Sequence, residues 1–221
     1  MLVAGVDDAG RGAVIGPLVI AGALFDEKDL SKLAEIGVKD SKLLSPKRRE
    51  RLYEKIKEIA LKIHLIKLLP KEIDKVVEAG RKLHKLNRLE AQAMAEVIKV
   101  LKPDVAYVDA SDTVAERFKQ QILECINFKT RVISEHKADA KYLVVAAASI
   151  IAKVERDKEI SELRKNYGDL GSGYITDFKT VKFLKEWIKK FGSYPDFVRK
   201  SWKPAKKIRL DAEFEQKRLN A

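Results

Sequence analysis

The residues of this chain best suited to chemistry are carboxylates placed where apolar runs end. Asp7 and Asp8 close the run Leu2–Val6 and stand directly before Ala9-Gly10-Arg11-Gly12. Asp109 closes Val105–Val108, and Asp139 lies in Glu135-His136-Lys137-Ala138-Asp139, after the run Arg131–Ser134. Adjacent aspartates repel each other unless a cation or a hydrogen-bond network neutralises them. Each acid taken singly also fits a turn or a helix cap. Asp112 reads as the N-cap of the helix that follows it, which leaves Asp109 without a capping job, and Asp139 could cap the apolar helix it enters. Taken together they say more. Ligands of open α/β sheets sit beyond the carboxyl ends of strands, and acids gathered there can hold hard cations such as Mg²⁺. Two such ions clamp a phosphodiester, one activating water and the other stabilising the leaving oxygen. Residue type and spacing reach metal-dependent phosphodiester chemistry and stop there.

The elements that must position these acids alternate. Leu2–Val6, Pro17–Phe25, Lys62–Leu69, Val105–Val108 and Arg131–Ser134 read as strands. A helix starts at Ser45-Pro46, with serine as N-cap and proline at the first helical position. Its apolar residues Leu52, Ile56, Ile59 and Ile63 keep the helical period. Leu86–Leu101 repeats that period, and a further helix spans about Thr113 to Ile126. Strands interleaved with helices predict an α/β sandwich. From Ala140 the reading turns helical: Tyr142–Ala152 is apolar and small, Lys153–Asn166 is charged, and Gly168–Gly173 breaks the run. An amphipathic helix carrying Val181, Leu184, Trp187, Ile188 and Phe191 follows, then a basic tail with aromatics from Ser193. Residues 1–175 are expected to form the catalytic domain and 176–221 a helical, basic C-terminal lobe.

Charge supplies the partner class. The chain has 221 residues, with 45 Lys plus Arg against 33 Asp plus Glu, a net of +12. Residues 178–221 hold 13 Lys plus Arg and 5 Asp plus Glu, so a net of +8 sits in the last 44 residues. That is a footprint for phosphates, or a solvated helical face. Charged residues make up 35%, with four Asn, four Gln, one Cys and two Met, a thermophile-like profile. No stretch of 18 apolar residues is present, and the first residues lack a secretory pattern, so a soluble, cytoplasmic protein with no membrane partner is expected. A single Cys125 excludes a disulfide framework and a CxxC zinc site. His64, His84 and His136 lack zinc-hydrolase spacing. Gly10-Arg11-Gly12 is no dinucleotide fingerprint, because a strand follows it. It offers close backbone approach to a sugar or phosphate, or a plain tight turn.

At this point the chain resembles the archaeal ribonuclease HII family over roughly residues 1–205. The motifs are Gly5–Gly12, Val38-Lys39-Asp40-Ser41-Lys42, Tyr107-Val108-Asp109-Ala110, Glu135–Tyr142, Ala147–Lys153 and Tyr167–Tyr174. Six modest motifs in order are together specific. The resemblance implies a ribonuclease H-like mixed sheet flanked by helices, with a helical C-terminal lobe. It implies an endoribonuclease, dependent on Mg²⁺ or Mn²⁺, acting on RNA–DNA hybrids and on single ribonucleotides in duplex DNA. Its two-metal hydrolysis leaves 5′-phosphate and 3′-hydroxyl ends. By motif, Asp7, Asp109 and Asp139 match metal-binding carboxylates, and Asp8 falls where a fourth sits. Gly10, Arg11 and Gly12 match the loop whose backbone reads the 2′-hydroxyl, the group that separates RNA from DNA. Tyr174 matches a tyrosine on the same ribonucleotide, and Ser41 and Lys42 match a phosphate-contacting segment.

The chain also departs from the family pattern. Asp8 stands where the family has Glu, drawing the carboxylate back by roughly 1.3–1.5 Å, which predicts lower activity or a preference for Mn²⁺. The alternative is a hybrid-binding protein with impaired catalysis. Family prolines are replaced by Ala13, Leu143, Ile175 and Phe178. Asp211–Ala221 lacks a recognisable sliding-clamp motif, and a monomer is expected.

Overall fold

The computed structural model describes residues 1–38, 44–79 and 82–219, with side chains described except at 82–84 and 215–219. The expected strands form one sheet from β1 (Leu2–Ala9), β2 (Leu18–Asp26), β3 (Lys62–Leu68), β4 (Val105–Asp109) and β5 (Arg131–Glu135), in the order β3-β2-β1-β4-β5. β1 runs antiparallel to β2 and parallel to β4, which runs parallel to β5. The sheet is therefore mixed. Val3 to Asp7 of β1 are all buried, as expected of a strand covered on both faces. β1 continues three residues beyond the expected Val6, so Asp7 and Asp8 lie inside the strand rather than after it.

The helices are α1 (Leu30–Glu35), α2 (Pro46–Ile59), α3 (Pro70–Glu78), α4 (Lys82–Leu101), α5 (Ala115–Leu123), α6 (Ala138–Lys141), α7 (Leu143–Tyr167), α8 (Phe178–Phe191) and α9 (Lys203–Leu219). α2 starts as expected: Ser45 Oγ accepts from the Arg48 N–H at 3.4 Å, with Pro46 in the first turn. Two glycines set how near helices come to the sheet. A Cβ on Gly5 would overlap the Val144 carbonyl, so α7 lies directly on β1. A Cβ on Gly22 would overlap Val97 of α4. Gly22 is paired with Val6, and neighbouring strand residues alternate between faces. The two helices therefore cover opposite faces, as the sandwich reading requires.

The chain divides into two compact units. One comprises Met1–Ala9, Val19–Lys67 and Leu83–Glu155, and the other Gly10–Leu18, Leu68–Lys82 and Arg156–Ala221. The first contains the sheet, with a core that includes Val19, Phe25, Ile56, Val145, Ala147 and Ile151. The second has its own core, including Ile15, Ile160, Leu170, Leu184, Ile188 and Val198. The helical C-terminal portion is thus present, and it includes α9, which the basic tail did not reveal.

The positions where the family pattern has proline differ locally. Leu143 and Phe178 are the first residues of α7 and α8, preceded by extended residues (Tyr142 φ −118°, ψ 121°; Asp177 φ −90°, ψ 119°). Ile175 is second in the turn closed by the Asp177 N–H on the Tyr174 carbonyl at 3.0 Å. All three are sites that suit proline. Ala13 is different, because its N–H donates to the Gly10 carbonyl at 3.1 Å, a bond proline cannot make. Phe178 is 76% exposed and packs little. Phe178→Pro should therefore raise stability by about 0.4–1 kcal/mol, through a less free unfolded chain. The check is the urea midpoint, and a lower midpoint than wild type contradicts this account of α8's start.

Candidate active site

The parallel register decides which acids meet. Val6 of β1 is paired with Val108 of β4, so Asp7 and Asp109 come one step later at the same level. Asp7 is 5% exposed. Burial pushes its carboxyl well above the usual range, and the Asp8 and Asp109 carboxylates push the same way. The Ser149 hydroxyl and the Asp8 N–H, the latter at 2.7 Å from Asp7 Oδ1, oppose that shift. Asp8 is half-buried and accepts from Ser111 Oγ at 3.3 Å. Asp109 accepts the Ala138 N–H at 2.7 Å. It has a capping job after all, on α6 rather than on the helix next in sequence. Asp139, buried in the first turn of α6, is no N-cap; that place belongs to Lys137, in the left-handed region at φ 55°.

Asp7, Asp8 and Asp109 are brought together, and Asp139 is tied to Asp109 through its neighbour Ala138. Among the described residues no three acid, histidine or cysteine side chains close around one point, so the acids do not form a preset cage. What fits a divalent cation is the donor chemistry. Three hard carboxylate groups repel one another in a buried setting, and a cation removes that repulsion.

Gly10 and Tyr174 meet on Arg156 in the second unit. Gly10 (φ 92°) opens a turn, and a Cβ on it would lie 2.6 Å from Cδ and Nε of Arg156. The Arg156 guanidinium lies 4.5 Å from the centre of the Tyr174 ring and donates to the Ser172 carbonyl at 2.9 Å. The Val14 and Ile15 N–H groups both donate to the Gly173 carbonyl, at 2.8 and 3.1 Å. The glycine loop and Tyr174 are thus bound to a common backing. Gly12 is exposed, with open space where a Cβ would stand. Ser41 and Lys42 lie outside the described residues.

The family model described as Ribonuclease HII matches residues 4–205. The chain belongs to the ribonuclease HII family. The ribonuclease HII of Thermococcus sibiricus is 47% identical to it over 222 residues, covering 100% of this chain and 96% of the relative. The crystal structure of ribonuclease H2 from Pyrococcus horikoshii is 46% identical with a TM-score of 0.88, covering 96% of this chain and 99% of that one. Ribonuclease HII of Archaeoglobus fulgidus, solved in complex with PCNA, is 46% identical with a TM-score of 0.83, covering 92% and 96%. The ribonuclease H-like sheet and the family thus stand as the motifs implied. Nothing in these likenesses supports the binding-only alternative.

Sequence reading of this ribonuclease HII chain missed several supporting residues. Ser149 is a polar residue 8% exposed within the apolar start of α7, and that contrast could have marked it. Asp112 was expected as an N-cap, but α5 starts at Ala115 with Val114 in the cap position. The Asp112 side chain instead accepts from Val114 N–H, Arg117 Nε and Asn87 Nδ2, each at 2.9 Å. Burial pushes Asp112 up, but the Arg117 guanidinium, Val114 N–H and Asn87 amide outweigh it and hold the carboxyl well below the usual range. A depressed folded value means stability present above the unfolded value, about 3.9, and lost as pH falls toward the folded one. Asp112→Asn should cost about 1 kcal/mol or more at pH 7. Its deficit against wild type should shrink below about pH 4. Urea unfolding at pH 7 and pH 3 tests this, and an equal deficit at both refutes it.

Proposed function

We propose that the chain is an endoribonuclease that cuts the RNA strand of RNA–DNA hybrids and single ribonucleotides embedded in duplex DNA. The observation that carries this reading is the buried Asp7, set beside Asp8 and Asp109 at the ends of parallel strands in a ribonuclease HII chain. The family is one of divalent-metal-dependent hydrolases, and Asp7, Asp8, Asp109 and Asp139 would hold the ions, Mg²⁺ or Mn²⁺. When bound, such ions supply an activated water and stabilise the leaving oxygen, which accords with 5′-phosphate and 3′-hydroxyl products. Asp7 would be the central ligand, since Asp8 and Asp109 bear on it and Ser149 hydrogen-bonds to it. Asp8 reaches less far than the Glu of the family pattern and would limit how tightly the site closes.

The remaining roles follow from chemistry. The Gly10–Arg11–Gly12 backbone would meet the ribose, because Gly12 leaves room for close approach and no side chain intervenes. Tyr174 would pack against the same nucleotide, its ring held from behind by Arg156. Ser41 and Lys42 are assigned to a backbone phosphate by their motif. Residues 1–175 would do the cutting. The exposed cations of the lobe 176–221, which has 13 Lys plus Arg against 5 Asp plus Glu from residue 178 on, would hold the duplex by phosphate contacts, so affinity should fall with salt. The A. fulgidus relative was solved in complex with PCNA. Among the described residues no helix is long and apolar enough to cross a membrane, and a cytoplasmic monomer fits this role.

The test is cleavage of an end-labelled duplex bearing one ribonucleotide, in Mg²⁺, in Mn²⁺ and in EDTA, beside an all-DNA control. Cutting should require the ribonucleotide and a metal, and fall on its 5′ side. Asp7→Asn should lower the rate by more than about 100-fold, the upper range for losing even an outer-shell partner of a metal. Equal cutting of the all-DNA duplex, or a near-normal Asp7→Asn, overturns the reading.

A further inference from the structure

Arg199 is a large side chain with no exposure at all, although its sequence surroundings, Val198-Arg199-Lys200, look like one more piece of a basic tail. Its guanidinium does not reach out to solvent. Nη2 donates to the Gly10 carbonyl at 2.7 Å, Nη1 to the Arg11 carbonyl at 2.8 Å, and Nε and Nη2 to the Gly16 carbonyl at 3.2 and 3.1 Å. Four charge-assisted hydrogen bonds therefore fall on three carbonyls of one short loop. Charged donors make the stronger bonds, and the planar fork sets the directions of several at once.

The mount that carries Arg199 is itself held. Its own N–H donates to the Val14 carbonyl at 2.9 Å, and Gly16 N–H donates to the Phe197 carbonyl at 2.9 Å. The next two residues are fastened by Asp74 of α3, which accepts from the N–H groups of Lys200 (2.8 Å) and Ser201 (3.0 Å). The Trp202 ring covers the guanidinium at 5.1 Å. Arg156 is the second buried cation, 4% exposed, pressed against Gly10 on one side and the Tyr174 ring on the other. Between them the two arginines touch Gly10, Arg11 and Tyr174, three of the residues assigned above to the ribose.

We propose that Arg199 and Arg156 are positioning residues that set the preference for a ribonucleotide over a deoxyribonucleotide. Arg199 fixes the Gly10, Arg11 and Gly16 carbonyls, and Arg156 keeps that loop in register with Tyr174. This rests on the reading of the loop and Tyr174 as the ribose-reading elements. A 2′-hydroxyl is recognised by one or two hydrogen bonds, and such recognition depends on backbone groups held at the right distance before the substrate arrives. A loosened loop would still meet phosphates, so general affinity should survive while discrimination is lost.

The experiment measures Kd in EDTA for a duplex with one ribonucleotide and for its all-DNA counterpart, by fluorescence anisotropy. The variants are Arg199→Met, Arg199→Lys and Arg156→Lys, with thermal unfolding of each. Wild type should favour the ribonucleotide duplex. Arg199→Met should lower that ratio by about tenfold, the equivalent of roughly one charged hydrogen bond, with all-DNA affinity unchanged. Arg199→Lys, a point charge that cannot span three carbonyls, should lie between, and Arg156→Lys should also lose discrimination. If Arg199→Met does not fold, the two lysine variants decide. Folded variants that keep the wild-type ratio, or that weaken both duplexes equally, overturn the proposal. A wild type with no preference overturns the reading beneath it, and that outcome is distinct because it appears before any substitution.

Discussion

Asp7 is 5% exposed and has Asp8 and Asp109 for neighbours, so its charge is opposed by lost hydration and by like charge together. The first unit supports that group at several levels. Gly5 removes the Cβ that would keep α7 off β1, and that contact brings Ser149 to Asp7. The Asp8 N–H holds one oxygen. The parallel pairing of β1 with β4 sets Asp109 level with Asp7 and also lets Asp109 carry the start of α6. A cluster of this kind is a poor choice for stability alone, since buried like charges destabilise the fold. Its cost makes sense where a divalent ion and a phosphate complete it, and a sheet covered on both faces is rigid enough to maintain it.

In the second unit the problem has the opposite sign. Arg156 and Arg199 are cations removed from solvent, and the hydrogen-bond partners of their guanidinium groups include main-chain carbonyls. Carbonyl oxygens provide partial negative charge without titrating, so the restraint on the loop does not change with pH as a carboxylate partner would. They also hold the Gly10, Arg11 and Gly16 carbonyls toward the protein interior, while Gly12 stays exposed with open space where a Cβ would stand. On the reading proposed above, binding duplex by diffuse charge and reading one sugar by fixed backbone would be separable tasks, and the exposed lysines of α8 would suit only the first.

The sheet was legible because each strand is a short apolar run ended by a change of residue type, and the acids stood out as polar residues at those ends. Even there, β1 runs on through Asp7 and Asp8, because pairing with β2 continues to Ala9 opposite Val19 whatever the side-chain polarity. The capping role of Asp109 was hidden, since its partner Ala138 is 29 residues away and only the β4–β5 pairing brings it near. α9 was missed for a related reason: its cations mask the few residues, such as Ala205 and Ile208, that pack inward. Arg199 was the least visible. A buried arginine and a solvated one have the same neighbours in sequence, and tertiary structure alone separates them.

The replaced prolines bear on how the glycine loop keeps its shape. Proline stiffens a turn by restricting the unfolded chain and gives up an N–H to do so. At Leu143, Ile175 and Phe178 the backbone is of the kind proline favours, without the ring to impose it. At Ala13 the N–H is used, and it lands on the Gly10 carbonyl that also receives Arg199 Nη2. One oxygen thus accepts from both sides of the turn, in a segment where Ala13 to Gly16 are wholly or nearly buried. Hydrogen bonds in such a place are shielded from competing water and gain strength accordingly. Stiffness that a ring would impose on φ is supplied here by two donors converging on one carbonyl, and it persists only while the arginine stays in place.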